Sequence, residues 1–262
     1  MTDTLVPRLP EVRPGVRAWL AMTVAEAKMV ARDTAGLIVP IGMPVLILVM
    51  NGTQSGAETV IPGTGGRTAF DLYLLPLTLA FVVAMVGVVN MPSFLATYRR
   101  TGVLRRLGVT PASPVMVLVA QAAVGIAQIL VGLALTLGVA FVAYGAHAPA
   151  APWTATGVLA LAIAAMYAVG MLVAAVSPTP QSSVAIGLVA FLGMAAVGGL
   201  FGGRENLPDV LAQIGGVLPF GATVDALGAA WAGAPVPASA VVGLVVATLV
   251  GTLLSALWFR WE

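Results

Sequence analysis

Two long stretches, residues 70–97 and 115–144, do most to limit what this chain can become. Each is apolar throughout and carries no charge beyond Asp71. A helix of about 20 apolar residues crosses the roughly 30 Å hydrocarbon core of a bilayer. No water is present there, so every backbone N–H and C=O must bond within the protein, which leaves helices or closed barrels. Runs of 28 and 30 residues are helix-length. Four further apolar runs, at 35–50, 153–176, 182–201 and 236–259, bring the expected number of spans to six. Composition agrees: 60% of the chain is hydrophobic and 8% charged, against about 25% charged in a soluble domain. The expectation is an all-α integral membrane domain. Residues 1–34 are a tail plus a surface helix, and residues 35–262 are the membrane domain.

The individual runs differ. Residues 35–50 number only 16 and contain Pro40 and Pro44, so this span is expected to kink or to extend into its flanks. Gln121 and Gln128 stand seven apart on one face of the third span, as inter-helix glue or as ligand contacts. Residues 202–235 hold two apolar pieces, 207–214 and 222–231, each too short to cross. Gly215-Gly216 and Leu218-Pro219-Phe220-Gly221 break them apart. Two half-helices in a re-entrant or surface-lying hairpin are expected there.

Val16–Arg32 separates cleanly on a helical wheel. Trp19, Val30, Thr23, Val16, Ala27, Leu20, Ala31 and Val24 fill one arc. Arg17, Lys28 and Arg32 gather on the far side with Glu26. A helix of this kind lies in the membrane interface, with Trp19 at headgroup level, or packs on a partner protein.

Lysine and arginine set orientation. With six spans, ten of the 12 lie on the N-terminal side: Arg8, Arg13, Arg17, Lys28, Arg32, Arg99, Arg100, Arg105, Arg106 and Arg260. Arg67 and Arg204 lie opposite. Both termini are therefore expected in the cytoplasm.

Several chemistries lack their residues. No Asp, Glu, His, Lys or Arg stands in the middle of a span, where an ion-coupled carrier would need one. Asp71 and Asp225 sit at outer boundaries, where solvated or helix-capping roles are expected. The lone histidine, His147, has no partner at metal-ligand spacing, and the chain has no cysteine, so no metal site is expected. Neither HExxH nor GxSxG occurs, so no catalytic residue is assigned. There is no GxxxxGK[ST] phosphate loop either. Uphill transport would draw its energy from another chain.

Between the second and third spans, Tyr98-Arg99-Arg100-Thr101-Gly102-Val103-Leu104-Arg105-Arg106-Leu107-Gly108-Val109-Thr110-Pro111-Ala112-Ser113-Pro114 places four arginines within eight residues. Four arginines at the bilayer centre would cost on the order of 10 kcal/mol, so the stretch belongs in water or at a headgroup surface. As a helix, Val103, Leu104 and Leu107 share one arc, Arg99, Arg105 and Arg106 point elsewhere, and Arg100 falls at the start of the apolar arc. The charge alone is enough to fix topology; the apolar arc suits a docked helix.

This stretch resembles the coupling-helix region of type-2 ABC exporter permeases, and most of all the daunorubicin-resistance-type drug exporters. The half-helices before the sixth span match that family independently. The resemblance implies an ATPase contact at Arg99, Arg100, Gly102, Val103, Leu104, Arg105, Arg106, Leu107, Thr110 and Pro111, within a coupling helix at about 98–113. Arg17, Trp19, Lys28 and Arg32 form the interfacial helix. It further implies a plasma-membrane permease for multidrug efflux and antibiotic resistance, without an ATPase site of its own. Its partners would be two copies of an ABC ATPase carrying ATP and Mg, a second permease (homodimer or heterodimer) and membrane lipid, with no nucleic acid. The substrate would be an amphipathic drug or lipid. The alternatives are a polysaccharide or glycolipid exporter, or a channel or membrane assembly factor outside the ABC class. Where the family commonly carries an acidic residue near the start of this segment, this chain reads Arg100-Thr101-Gly102, so that carboxylate's role does not carry over.

Overall fold

The computed structural model describes residues 15–102 and 114–258. Among them there is no strand beyond one isolated bridge, Val60 to Thr68. The helices are α1 (Val16–Arg32), α2 (Thr34–Gly52), α3 (Phe70–Arg100), α4 (Pro114–Tyr144), α5 (Pro152–Val176), α6 (Pro180–Val197), α7 (Asp209–Val217), α8 (Pro219–Ala232) and α9 (Ala238–Trp258). Helices α2, α3, α4, α5, α6 and α9 are each long and apolar enough to cross a membrane, which makes the six expected spans.

Helix α2 resolves the question of its short apolar run by extending into both flanks, to 19 residues, with Pro40 and Pro44 inside it. Helix α3 is the axis of the bundle. It is buried along most of its length and touches α2, α4, α5, α6 and α8. Phe81 of α3 meets Phe191 of α6 edge to face at 4.8 Å, and Phe191 meets Phe220 of α8 at 6.0 Å.

Two wide turns with π-type bonding interrupt α3, at Phe70–Leu74 and Met85–Asn90. Each ends just before a proline, Pro76 or Pro92. Proline has no N–H and its ring crowds the carbonyl four residues back, and widening the turn relieves that clash. In an unwidened α-helix the carbonyls opposite the two proline nitrogens would be those of Leu72 and Val88. Glycines of neighbouring helices lie against both. A β-carbon on Gly228 would stand 2.8 Å from the Leu72 oxygen, and one on Gly187 would stand 2.5 Å from the Val88 oxygen. Gly170 of α5 approaches the Gly87 carbonyl closer still. Bilayer helices gain no hydrophobic drive from packing on each other, and small residues that admit close backbone contact replace it.

The hairpin α7–α8 bends by 79°. Its break is narrower than expected: Gly215 and Gly216 are helical, and Leu218 alone separates the two pieces, with Pro219 opening α8. Gly215 serves packing instead, since a β-carbon there would collide with the Val197 carbonyl of α6.

Candidate functional site at the basic end of the central helix

Tyr98, Arg99 and Arg100 form the last turn of α3. The Gly102 N–H bonds the Arg99 carbonyl at 3.2 Å, and Gly102 adopts φ +67°, the left-handed conformation that ends helices. Gly102 is thus the stop of a span. The remaining residues assigned to the ATPase contact, Val103, Leu104, Arg105, Arg106, Leu107, Thr110 and Pro111, lie outside the described residues, and so does the apolar arc they would form.

The end of α3 is tied to three other elements. Tyr98 donates its hydroxyl to the Glu26 carboxylate of α1 and lies 3.7 Å from the Met29 sulfur. Phe94, Tyr98, Val117, Val124 and Val30 form a small apolar cluster around this bond. Glu26 is only 6% exposed, which corrects its expected place among the charges. Burial raises its carboxyl above the ordinary range, while the Tyr98 hydroxyl pulls the other way. Helix α1 therefore has three faces. Glu26 and Val30 pack inward; Val16, Leu20 and Val24 are exposed; Arg17, Lys28 and Arg32 are exposed beside them. Trp19 is half-buried.

Arg99 reaches the end of α5. Its guanidinium donates to the Ala174 carbonyl and, at 2.9 Å, to the Ser177 carbonyl. Arg100 is exposed and approaches the Gln181 side-chain oxygen at 3.5 Å, a weak contact.

Two turns earlier, Asn90 joins α3 to α2 and α4. Pro40 cannot donate to the Gly36 carbonyl of α2. The Asn90 amide donates to that oxygen at 2.9 Å and to Gln128 Oε1 at 3.0 Å, and Gln128 Nε2 donates to it at 2.6 Å. Gln128 is inter-helix glue. Gln121 is also buried, and its Oε1 has no partner among the described residues.

The opposite end bears out the capping alternative for Asp71 and refines the expectation for Asp225. Asp71 is fully buried, not solvated. It caps its own helix through the Thr68 N–H at 3.0 Å and accepts the His147 N–H at 2.8 Å, with His147 Nδ1 at 2.9 Å. The Trp231 indole donates to the His147 carbonyl at 3.0 Å, which clasps α3, the α4–α5 loop and α8 together. Asp225 lies inside α8 and does not cap it; it forms a half-buried ion pair with Arg204. That pair borders a cavity of about 780 Å³, lined also by Ile47, Tyr73, Leu77 and Leu200.

The family described as ABC-2 type transporter matches residues 17–231. This chain belongs to the ABC-2 type transporter family. No curated protein matches it. The matched region runs from α1 to near the end of α8 and leaves α9 beyond it. Membership makes the chain a multi-pass membrane permease component that works with an ABC ATPase in an oligomeric assembly and lacks its own ATPase site.

Asn90 and Glu26 were not singled out from sequence as tie points. The available signal for Asn90 was Pro40, which leaves a carbonyl in need of a donor. For Glu26 there was its angle on the wheel, 20° from Trp19 at about 100° per residue and well away from Arg17, Lys28 and Arg32.

Proposed function

We propose that this ABC-2 permease exports an amphipathic drug or lipid, in the manner of the daunorubicin-resistance-type systems, as a homodimer or heterodimer bound to two ATPase subunits. ATP-driven closure of the ATPases pushes on the basic stretch after Gly102, and rigid-body movement of the spans opens a path across the plasma membrane. The observation that carries this reading is the wiring of α3. The helix that leads into the basic stretch is bonded to α1 through Glu26, to α2 and α4 through Asn90, and to α5 through Arg99. A push there has somewhere to go.

Orientation with both termini cytoplasmic rests on the ten-to-two division of basic residues. Helix α1 then lies in the inner interface. Its exposed Val16, Leu20 and Val24 meet acyl chains, and Arg17, Lys28 and Arg32 meet headgroups or the ATPase. An amphipathic cargo suits the outer cavity, whose lining combines Ile47, Tyr73, Leu77 and Leu200 with Asn51, Gln54, Thr78, Glu205 and the Arg204–Asp225 pair.

Leu104→Asp tests the reading. A charge in the apolar arc is expected to lower ATPase co-purification at least tenfold while membrane insertion stays normal. Wild-type retention of the ATPase in that variant would remove the docking role.

A further inference from the structure

Helix α5 ends in a sequence that cannot satisfy its own last carbonyls. After Val176 the chain reads Ser177-Pro178-Thr179-Pro180-Gln181. In a continuing helix, residue 178 would donate to the Ala174 carbonyl and residue 180 to that of Val176, but both are proline and have no N–H. Ala174 is fully buried and Ser177 is 3% exposed, so water cannot take the donor's place. The N–H and hydroxyl of Ser177 are already committed to the Val173 carbonyl, at 3.1 and 2.5 Å. The missing donor comes from another span: Arg99 serves both Ala174 and Ser177. A planar guanidinium suits two carbonyls at once, and a helix C-terminus carries the partial negative charge that favours it.

The turn that receives Arg99 is itself stiff. Thr179 and Ser182 form a reciprocal capping box at the start of α6, with the Ser182 N–H on Thr179 Oγ1 at 3.1 Å and the Thr179 N–H on Ser182 Oγ at 3.0 Å. Arg99 therefore holds the end of α5 and the beginning of α6 as a unit. It stands three residues before Gly102, where α3 stops and the basic stretch begins.

We propose that Arg99 is a positioning residue for coupling. It makes the end of α3 and the α5–α6 turn move as one body, so that a push on the basic stretch reaches α5 and α6 together with α3. This rests on the ATP-driven reading above but changes the part played by Arg99, from a side chain facing the ATPase to an internal tie behind the contact surface.

The chain has no cysteine, so spin labels can be placed without altering a natural thiol. Labels at Thr101→Cys and Val176→Cys, on the permease purified with its ATPase into nanodiscs, read the distance across the tie. In the otherwise wild-type protein that distance is expected to be the same without nucleotide and with ATP plus vanadate. In Arg99→Gln it is expected to shift or broaden on nucleotide binding by roughly 2 Å or more, the scale of helix shifts in switching proteins. Arg99→Lys should restore at least part of the constancy. Pro178→Ala added to Arg99→Gln returns an N–H for the Ala174 carbonyl and keeps the helix end satisfied. The nucleotide-dependent shift should persist in that double variant, which separates the tie from a simple folding role. A wild-type distance that changes with nucleotide, or an Arg99→Gln distance that stays fixed, overturns the proposal. Wild-type protein that purifies with no ATPase overturns the exporter reading instead.

Discussion

Glu26 shows how one buried side chain ties a surface helix to the bundle. It sits against Tyr98 with 6% of its surface exposed, and burial raises its carboxyl above the usual value near 4.5. A carboxyl whose folded value is raised contributes stability in its protonated form. That contribution is complete below the unfolded value and is lost as pH rises through the folded one. The grip of α1 on α3 should therefore weaken as pH is raised from about 4.5 towards neutrality. Thermal unfolding of the purified protein across that range should show a falling midpoint, and Glu26→Gln should flatten it. Tyr98→Phe takes away the donor and should cost about 1–3 kcal/mol where Glu26 is charged. A wild-type profile as flat as that of Glu26→Gln would mean that the carboxyl does not titrate in place. On the wheel this residue was grouped with Arg17, Lys28 and Arg32, because charge rather than angle decided its face. Tyr98, the partner that makes its burial tolerable, is 72 residues away.

At the scale of elements, prolines and glycines explain the bundle better than hydropathy does. Hydropathy made the spans legible because lipid imposes one rule on every segment. It could not show that α3 widens before Pro76 and Pro92, nor which neighbours make room for, or donate to, the carbonyls opposite the prolines of α2 and α3. That depends on tertiary partners: Gly228 beside Leu72, Gly187 beside Val88, and the Asn90 and Gln128 amides on Gly36. The prolines were visible in the sequence, whereas the positions of the glycines opposite them follow only from the packing. Gly170 is the sharpest test. A β-carbon there would stand 1.9 Å from the Gly87 carbonyl oxygen, and both sides of the clash are backbone. Gly170→Ala should lower stability by at least the roughly 1–3 kcal/mol typical of overpacking, read as a lower unfolding midpoint and less monodisperse protein. Gly157→Ala in the same helix has nothing within 4 Å of its new carbon and should be neutral or slightly stabilising. Equal melting of the two variants would mean that close approach of α5 to α3 is not what holds them.

For the whole molecule, the placement of charge bears on the energy source. Within the six spans, the Asp, Glu, His, Lys and Arg side chains are Asp71 in the first turn of α3 and Arg99 and Arg100 in its last. Asp71 is held by Thr68 and His147, and Arg99 by the end of α5, so each has a structural task. Nothing between the two ends of a span can load a proton on one side and release it on the other. The sequence already excluded a central carrier group. The structure adds that the boundary groups are committed to the clasp and to the tie, which no spacing rule could reveal, because their partners lie 76 and 78 residues away. Transport should therefore follow ATP, supplied at the basic face. In inside-out vesicles, ATP added to the medium should drive accumulation of the proposed amphipathic substrate, and collapsing the proton gradient should change the rate by less than about twofold, since no span carries a central group that could relay a proton. Right-side-out vesicles given the same ATP should accumulate nothing. Accumulation that survives ATP depletion but dies with the proton gradient would show that Asp71 or another boundary group does more than hold its helix. Activity confined to right-side-out vesicles would reverse the orientation and place the end of α3 on the wrong side for an ATPase to push.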